Sequence, residues 1–185
     1  MGIPYRFDPL GTLGAGPRPP EGYDWAESLY MPAYIQAYTP QIFTDYIYEL
    51  DAAYPLNEYD VNYMCAGWTA WARYFKNENI WKTASNVAPV EVDGLRHTHT
   101  ANTYTEKFSV DGTVVGVWYR QDMISIGAGT GGPGAFECRV YEVRVSTIDG
   151  LVLLAKPVRR KDDGSLHLYD EVSQTILSQN GSFLP

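Results

Sequence analysis

His97-Thr98-His99 is the first group of residues whose types and spacing suggest chemistry. On a strand, a two-residue spacing puts both imidazoles on one face, close enough to share a metal ion. A site would need a third ligand. His167 and Glu106 qualify by type only, so no metal is expected. Gly127-Ala128-Gly129-Thr130-Gly131-Gly132 fits G-x-G-x-x-G after an apolar stretch. A dinucleotide site requires a helix whose N-terminus faces the pyrophosphate. Here Pro133-Gly134 and a strand pattern from Phe136 follow instead, and the Gly-Lys-Ser/Thr ending of a P-loop is missing. Hydrolases of polysaccharides can place paired carboxylates on one strand face as Glu-x-Asp-x-x-Glu. The nearest approach, Glu91-Val92-Asp93-Gly94-Leu95-Arg96, ends on an arginine, which cannot act as acid or base at neutral pH. There is no Gly-x-Ser-x-Gly elbow, and neither Cys65 nor Cys138 sits in a nucleophile signature. The residues therefore read as a non-enzyme with no catalytic group and no cofactor.

The elements that would carry such groups are strands. Arg139 to Val145 alternates, with Tyr141, Val143 and Val145 opposite Glu142 and Arg144, the period of a half-buried strand. Asp149-Gly150 is a hairpin signal. Leu151-Val152-Leu153-Leu154 is a continuous apolar run, as expected of a strand covered on both faces. The polar turn Lys161-Asp162-Asp163-Gly164 leads into Leu166 to Asp170. Phe108-Ser109-Val110 and Thr113-Val114-Val115 flank Asp111-Gly112, which can adopt the positive φ of a type I′ turn. Ile42 to Leu50 alternates as well. Val61 to Ala66 and Thr69 to Phe75 read as a strand pair, the second preferred over a helix because Trp71, Tyr74 and Phe75 crowd it and nothing caps it. The expected strands are 42–50, 61–66, 107–110, 113–118, 123–127, 137–145, 151–156 and 166–169. Helix is limited to a turn or two. Val110, Val115, Tyr141, Val143, Leu153 and Leu168 are expected in the core.

The chain has 185 residues, enough for one sizeable core. Its net charge of −8 disfavours the phosphate backbone of a nucleic acid as partner. No apolar run is long enough to span a bilayer, and no basic region followed by an apolar one marks a secretory signal. Cys65 and Cys138 read as buried free thiols rather than a bridge. Residues 1–20 read as an extended arm: Pro4, Pro9, Pro17, Pro19 and Pro20 remove backbone donors and Gly2, Gly11, Gly14 and Gly16 loosen the chain between them. Yet Ile3, Tyr5, Phe7, Leu10 and Leu13 are too apolar for a solvated linker. These five are the candidate anchor to a partner, the competing role being a strap over the arm's own domain, residues 21–185.

Several of these segments resemble the laminin-G-like, concanavalin A-like jelly-roll modules of tailed-phage and prophage structural proteins. The ending of those modules is similar to Arg139–Val145, Asp149-Gly150, Leu151–Leu154, Pro157, Lys161–Gly164 and Leu168-Tyr169-Asp170. Their hairpin, an aromatic-x-Val-Asp-Gly-Thr-x-Val, is matched at Phe108, Val110, Asp111, Gly112, Thr113 and Val115. Their opening is matched at Pro20, Gly22, Tyr23, Glu27, Tyr34, Ile35 and Pro40, with a departure at Met31-Pro32-Ala33. In all, the likeness covers about residues 20–184.

The resemblance implies an all-β antiparallel β-sandwich of jelly-roll type with an extended N-terminal arm. It implies a non-enzymatic virion component, in the head decoration, fibre or tail, anchored to other virion proteins through the arm. An oligomer or part of a larger assembly follows, with no nucleic-acid or membrane contact. The alternative is a lectin-like module that binds a host-surface glycan. Sugar sites stack aromatic rings on pyranose faces beside a few polar groups, and the sequence holds 15 Tyr and 5 Trp. In that reading Trp25, Trp68, Trp71 and Trp81 are the candidate sugar-binding residues.

Overall fold

The computed structural model describes residues 18–32, 36–53, 61–66, 71–75, 80–83, 87–88, 93–127 and 137–177. Side chains can be described at 18–32, 37–53, 93–126 and 137–177. Among the described residues every regular element is a strand and there is no helix. In chain order these are β1 (Tyr23–Trp25), β2 (Leu29–Met31), β3 (Gln36–Tyr38) and β4 (Ile47–Ala53). Next come β5 (Val61–Ala66), β6 (Trp71–Phe75), β7 (Ile80–Thr83) and β8 (Val87–Ala88). β9 (Arg96–Asn102), β10 (Lys107–Val110), β11 (Thr113–Val117) and β12 (Ser125–Gly127) follow. The chain closes with β13 (Cys138–Thr147), β14 (Gly150–Arg160), β15 (Leu166–Asp170) and β16 (Thr175–Ile176).

The main sheet runs β11-β10-β9-β4-β13-β14-β15-β16, with all pairs antiparallel. β13 and β14 pair from Thr147↔Gly150 to Val143↔Ala155 and then part. Pro157 explains where. Its carbonyl accepts from Ala26 N–H on the side facing away from β15. In a strand the N–H and C=O of one residue point the same way, so the donor that proline lacks is on the side toward β13. The two N-terminal strands fill the gap that opens. β1 pairs with β14 at Trp25↔Val158, and β2 with β13 at Met31↔Cys138.

One face of this sheet is the core: Tyr48, Leu50, Ala52, Ala101, Phe108, Val143, Val145, Leu153, Ala155 and Leu168 are buried. A small sheet of β3 and β12 contributes Ala37 and Ile126 to the same cluster. A third sheet, β5-β6-β7-β8, lies beside β11 and β12. Trp118 stacks on Phe108 with ring centroids 5.7 Å apart, and its indole N–H donates to the Tyr46 hydroxyl at 3.3 Å.

Of the core residues expected from sequence, Val110, Val115, Val143, Leu153 and Leu168 are buried. Tyr141 is not. Pairing of β13 with β4 slips between Val140 and Glu142, a bulge that inserts Tyr141 and hands the inward position to Val140. Leu151–Leu154 is not covered on both faces: Leu153 is buried, while Leu151, beside the turn, is exposed. The expected strand 42–50 begins only at Ile47 and continues to Ala53. Before it, Tyr46 N–H is taken by the Thr103 hydroxyl and Ile42 N–H by the Asp122 carbonyl, which tie this stretch to loops instead of a ladder. The Asp111-Gly112 turn has positive φ at both residues, 47° and 79°. In the next hairpin the turn residues are Ile148-Asp149, one position earlier than expected, since Gly150 already pairs with Thr147.

Candidate functional site

β9 carries the two histidines, and the structure separates their roles. His99 points into the core, fully enclosed, with Nδ1 3.2 Å from the Leu50 carbonyl oxygen. Burial drives its pKa down to about 4, so the ring is neutral at pH 7. His97 lies at the rim, with Nδ1 2.5 Å from Asp111 Oδ2 and Nε2 2.9 Å from Asp93 Oδ1. Partial burial works against its charged form, but the hydrogen bonds to Asp111 and Asp93 outweigh that and raise its pKa. Asp111 also accepts from Thr98 N–H at 2.8 Å. The imidazole thus ties the β10–β11 turn and the segment before β9 to one strand. With both ring nitrogens held by carboxylates, His97 has no nitrogen free for a metal. Among the described residues no three His, Cys, Asp or Glu side chains form a ligand set. His167 and Glu106 lie away from the pair, on β15 and in the β9–β10 turn.

Ser165 Oγ lies 2.9 Å from His167 Nε2, a nucleophile-to-base distance. The nearby carboxylate, however, engages the serine: Asp163 Oδ1 accepts from Ser165 Oγ at 2.6 Å and from Ser165 N–H at 2.9 Å. A base-orienting carboxylate would hold the histidine instead. This arrangement closes the β14–β15 turn.

The outer face of the main sheet holds a shallow depression of about 190 Å³ over β9, β4 and β13, lined by Glu49, Asp51, Thr98, Glu142 and Arg144. Asp51 and Glu142 are direct cross-strand partners. Like charges so placed are unfavourable. Each is compensated by an arginine: Arg96 binds both oxygens of Asp51, and Arg144 lies 3.0 Å from Glu142 Oε1. Arg96 also lies over the Tyr141 ring, 4.3 Å from its centroid, a cation–π contact that the bulge makes available. Glu49 and Thr98 complete the lining. The alternation of Glu142 with Arg144 puts that pair outward from sequence alone; its meeting with Asp51 depends on register, which sequence does not specify.

At one end of the same sheet is an apolar surface. Ten large apolar side chains are exposed among the described residues, and six of them, Phe43, Tyr104, Tyr119, Met123, Ile148 and Leu151, belong to segments that lie at this end. Ile148 is 86% and Phe43 66% exposed. The Tyr104 hydroxyl bridges the group, donating to the Asp45 carbonyl and accepting from Ile148 N–H, both at 2.9 Å. Arg120 donates to the Phe43 carbonyl at 2.7 Å. Ile47 pairs with both Asn102 and Ser146, which sets these loops side by side. No sequence signal grouped these residues, because they come from four separate segments of the chain.

Of the candidate sugar-binding residues, Trp25 is half-buried, 6.2 Å from the Tyr169 ring centroid with Lys156 at 6.0 Å. Trp68 lies outside the described residues. Trp71 and Trp81 are placed on the neighbouring strands β6 and β7, with only their backbone described. The five apolar residues of the arm, Ile3, Tyr5, Phe7, Leu10 and Leu13, also lie outside the described residues. Cys138 is buried, and the Cys65 side chain lies outside the described residues. Comparison of the chain with family models, curated proteins and solved structures finds no match.

Proposed function

We propose that this protein is a non-enzymatic structural component of a tailed-phage virion, a concanavalin A-like jelly-roll module anchored by its N-terminal arm. The observation that carries an assembly role is the apolar end of the sheet. Exposed apolar groups gathered in one place mark interaction surfaces. The phage assignment rests on the resemblance, and it is supported by where the matching segments fall. The Val110-Asp111-Gly112-Thr113 hairpin forms the β10–β11 edge, and Leu168-Tyr169-Asp170 ends β15 on a buried carboxylate. Electron microscopy and light scattering of the purified full chain test the reading. Ordered species larger than a monomer are expected, and a monomer at every concentration would contradict it.

A glycan-binding role is a second reading, favoured by the polar depression on the outer face. Both guanidinium groups there are committed to carboxylates, which suits a neutral, hydroxyl-rich ligand better than an anion. A glycan array probed with the protein and with Glu49→Gln tests it: binding lost in the variant supports the depression as the site, and an array with no binding removes the reading.

A further inference from the structure

We infer that the apolar end of the sheet is the dock for the N-terminal arm of the next copy of this chain, so that copies associate head to tail. This rests on the proposed anchoring role of the arm and names its partner.

The inference starts from where the chain leaves the sheet. Gly22 accepts from Lys161 N–H at 2.9 Å, and Tyr23 pairs with Arg160. Residues 18–22 therefore lie beside the β14–β15 turn. The apolar end is at the other extreme of β14, where Gly150 follows Ile148 and Asp149. Exit and dock are thus at opposite ends of the sheet, separated by the 11 residues of β14. At roughly 3.3 Å per residue that is about 36 Å. The 17 residues before Arg18 can span at most about 56–61 Å. For the arm to reach its own apolar end, most of its length would be used crossing the molecule, leaving only Ile3, Tyr5 and Phe7 to dock. A copy stacked end to end puts the same surface next to the exit, within reach of Leu10 and Leu13 as well. The chemistry matches: five apolar side chains meet six, and Arg6 between Tyr5 and Phe7 complements the exposed carboxylates of Asp45 and Asp149. Since the two surfaces differ, the contact is heterologous and propagates as a ring or an open filament instead of stopping at a two-fold dimer.

Two full-length variants test this by complementation. Phe43→Asp/Ile148→Asp disables the dock, and Tyr5→Asp/Phe7→Asp disables the arm. Both dock positions are highly exposed, so the first variant is expected to fold, which its unchanged melting temperature would show. Light scattering should find concentration-dependent species above dimer for the unmodified chain and monomers for each variant alone. An equal mixture of the two variants should give a 1:1 dimer and nothing larger, because only one working arm and one working dock remain per pair. If the dock variant assembles like the unmodified chain while the arm variant does not, the dock is refuted and the anchoring role of the arm stands. If the mixture stays monomeric although the unmodified chain assembles, the head-to-tail contact is refuted. If the unmodified chain is monomeric throughout, both the dock and the anchoring role fall.

Discussion

At the residue scale the chain spends its buried polar groups on structure. Asp170 is fully buried, and its carboxylate accepts from Leu154 N–H and Val172 N–H at 3.0 Å, from Ser173 N–H at 3.1 Å and from Ser173 Oγ at 2.6 Å. It joins β14 to the turn after β15. Asp170→Ala would leave Leu154 N–H, the donor among these on the least exposed residue, without its partner, at about 1–3 kcal/mol. Denaturant unfolding should show a loss well above that of exposed Asp162→Ala; equal losses would mean the carboxylate is not the joint described. The Leu-Tyr-Asp ending was visible in sequence, but a carboxylate bonding four donors around a turn is a three-dimensional property.

The two histidines of β9 make opposite contributions to pH dependence. The raised pKa of His97 means its stabilisation is fully present below the ordinary histidine value, near 6.5, and is lost as pH rises through the raised folded value. His99, with its folded pKa about 4, has the reverse effect. Between pH 6.5 and 4 the unfolded chain takes up a proton that the buried ring refuses, so stability falls as pH falls, by roughly 3 kcal/mol across that window. The charged groups that face this pair are Asp93, Asp111 and Asp51. Asp93 is held below its usual range by its hydrogen bond to His97 and by Leu95 N–H; for Asp111, partial burial opposes the shift, and His97 and Thr98 N–H override it. Their contributions are lost only as pH falls through those lowered values. Melting temperature should therefore peak near pH 6.5. His97→Gln should flatten the alkaline side of that peak and leave the acid side; a profile in which it flattens the acid side instead would reverse the assignment.

At the element scale, strand identity was legible and strand phase was not. Hydrophobic alternation located β13, because half-buried strands impose a period of two, the Asp111-Gly112 turn signal located β10 and β11, and β9 was not among the expected strands. Bulges break that period without a local signature. One at Tyr141 turned the expected core residue into a ring under Arg96, and another between Val145 and Ser146 accompanies the shift of the next turn. Leu153 and Leu151 show the consequence, two residues apart in sequence but on opposite sides of solvent contact. Leu153→Ala should cost roughly 2–5 kcal/mol, as for other buried leucines. Leu151→Ala should stay within about 0.5 kcal/mol of the unmodified chain. Equal losses measured by chemical denaturation would show that the phase of β14 is misassigned. Pro157, which alone would argue against a central strand, lies just beyond the last β13–β14 pair, Val143↔Ala155, so its missing donor interrupts no bond to β13.

At the scale of the whole molecule, the sheet separates four surfaces. Its inner face is core, its outer face carries compensated charge, and its two ends differ: one receives the arm's exit and the other exposes six large apolar side chains. Such polarity is what a head-to-tail assembly needs, and it was not readable from sequence, since Phe43, Tyr104, Tyr119, Met123, Ile148 and Leu151 come together only through register. Disulfide trapping tests the central claim most directly. With Tyr5→Cys and Ile148→Cys in one full-length chain, mild oxidation should yield a ladder of covalent dimers, trimers and longer species on a non-reducing gel, collapsing to monomer on reduction. A single internally closed monomer, with no ladder at any concentration, would show that the arm straps its own sheet and would contradict the account.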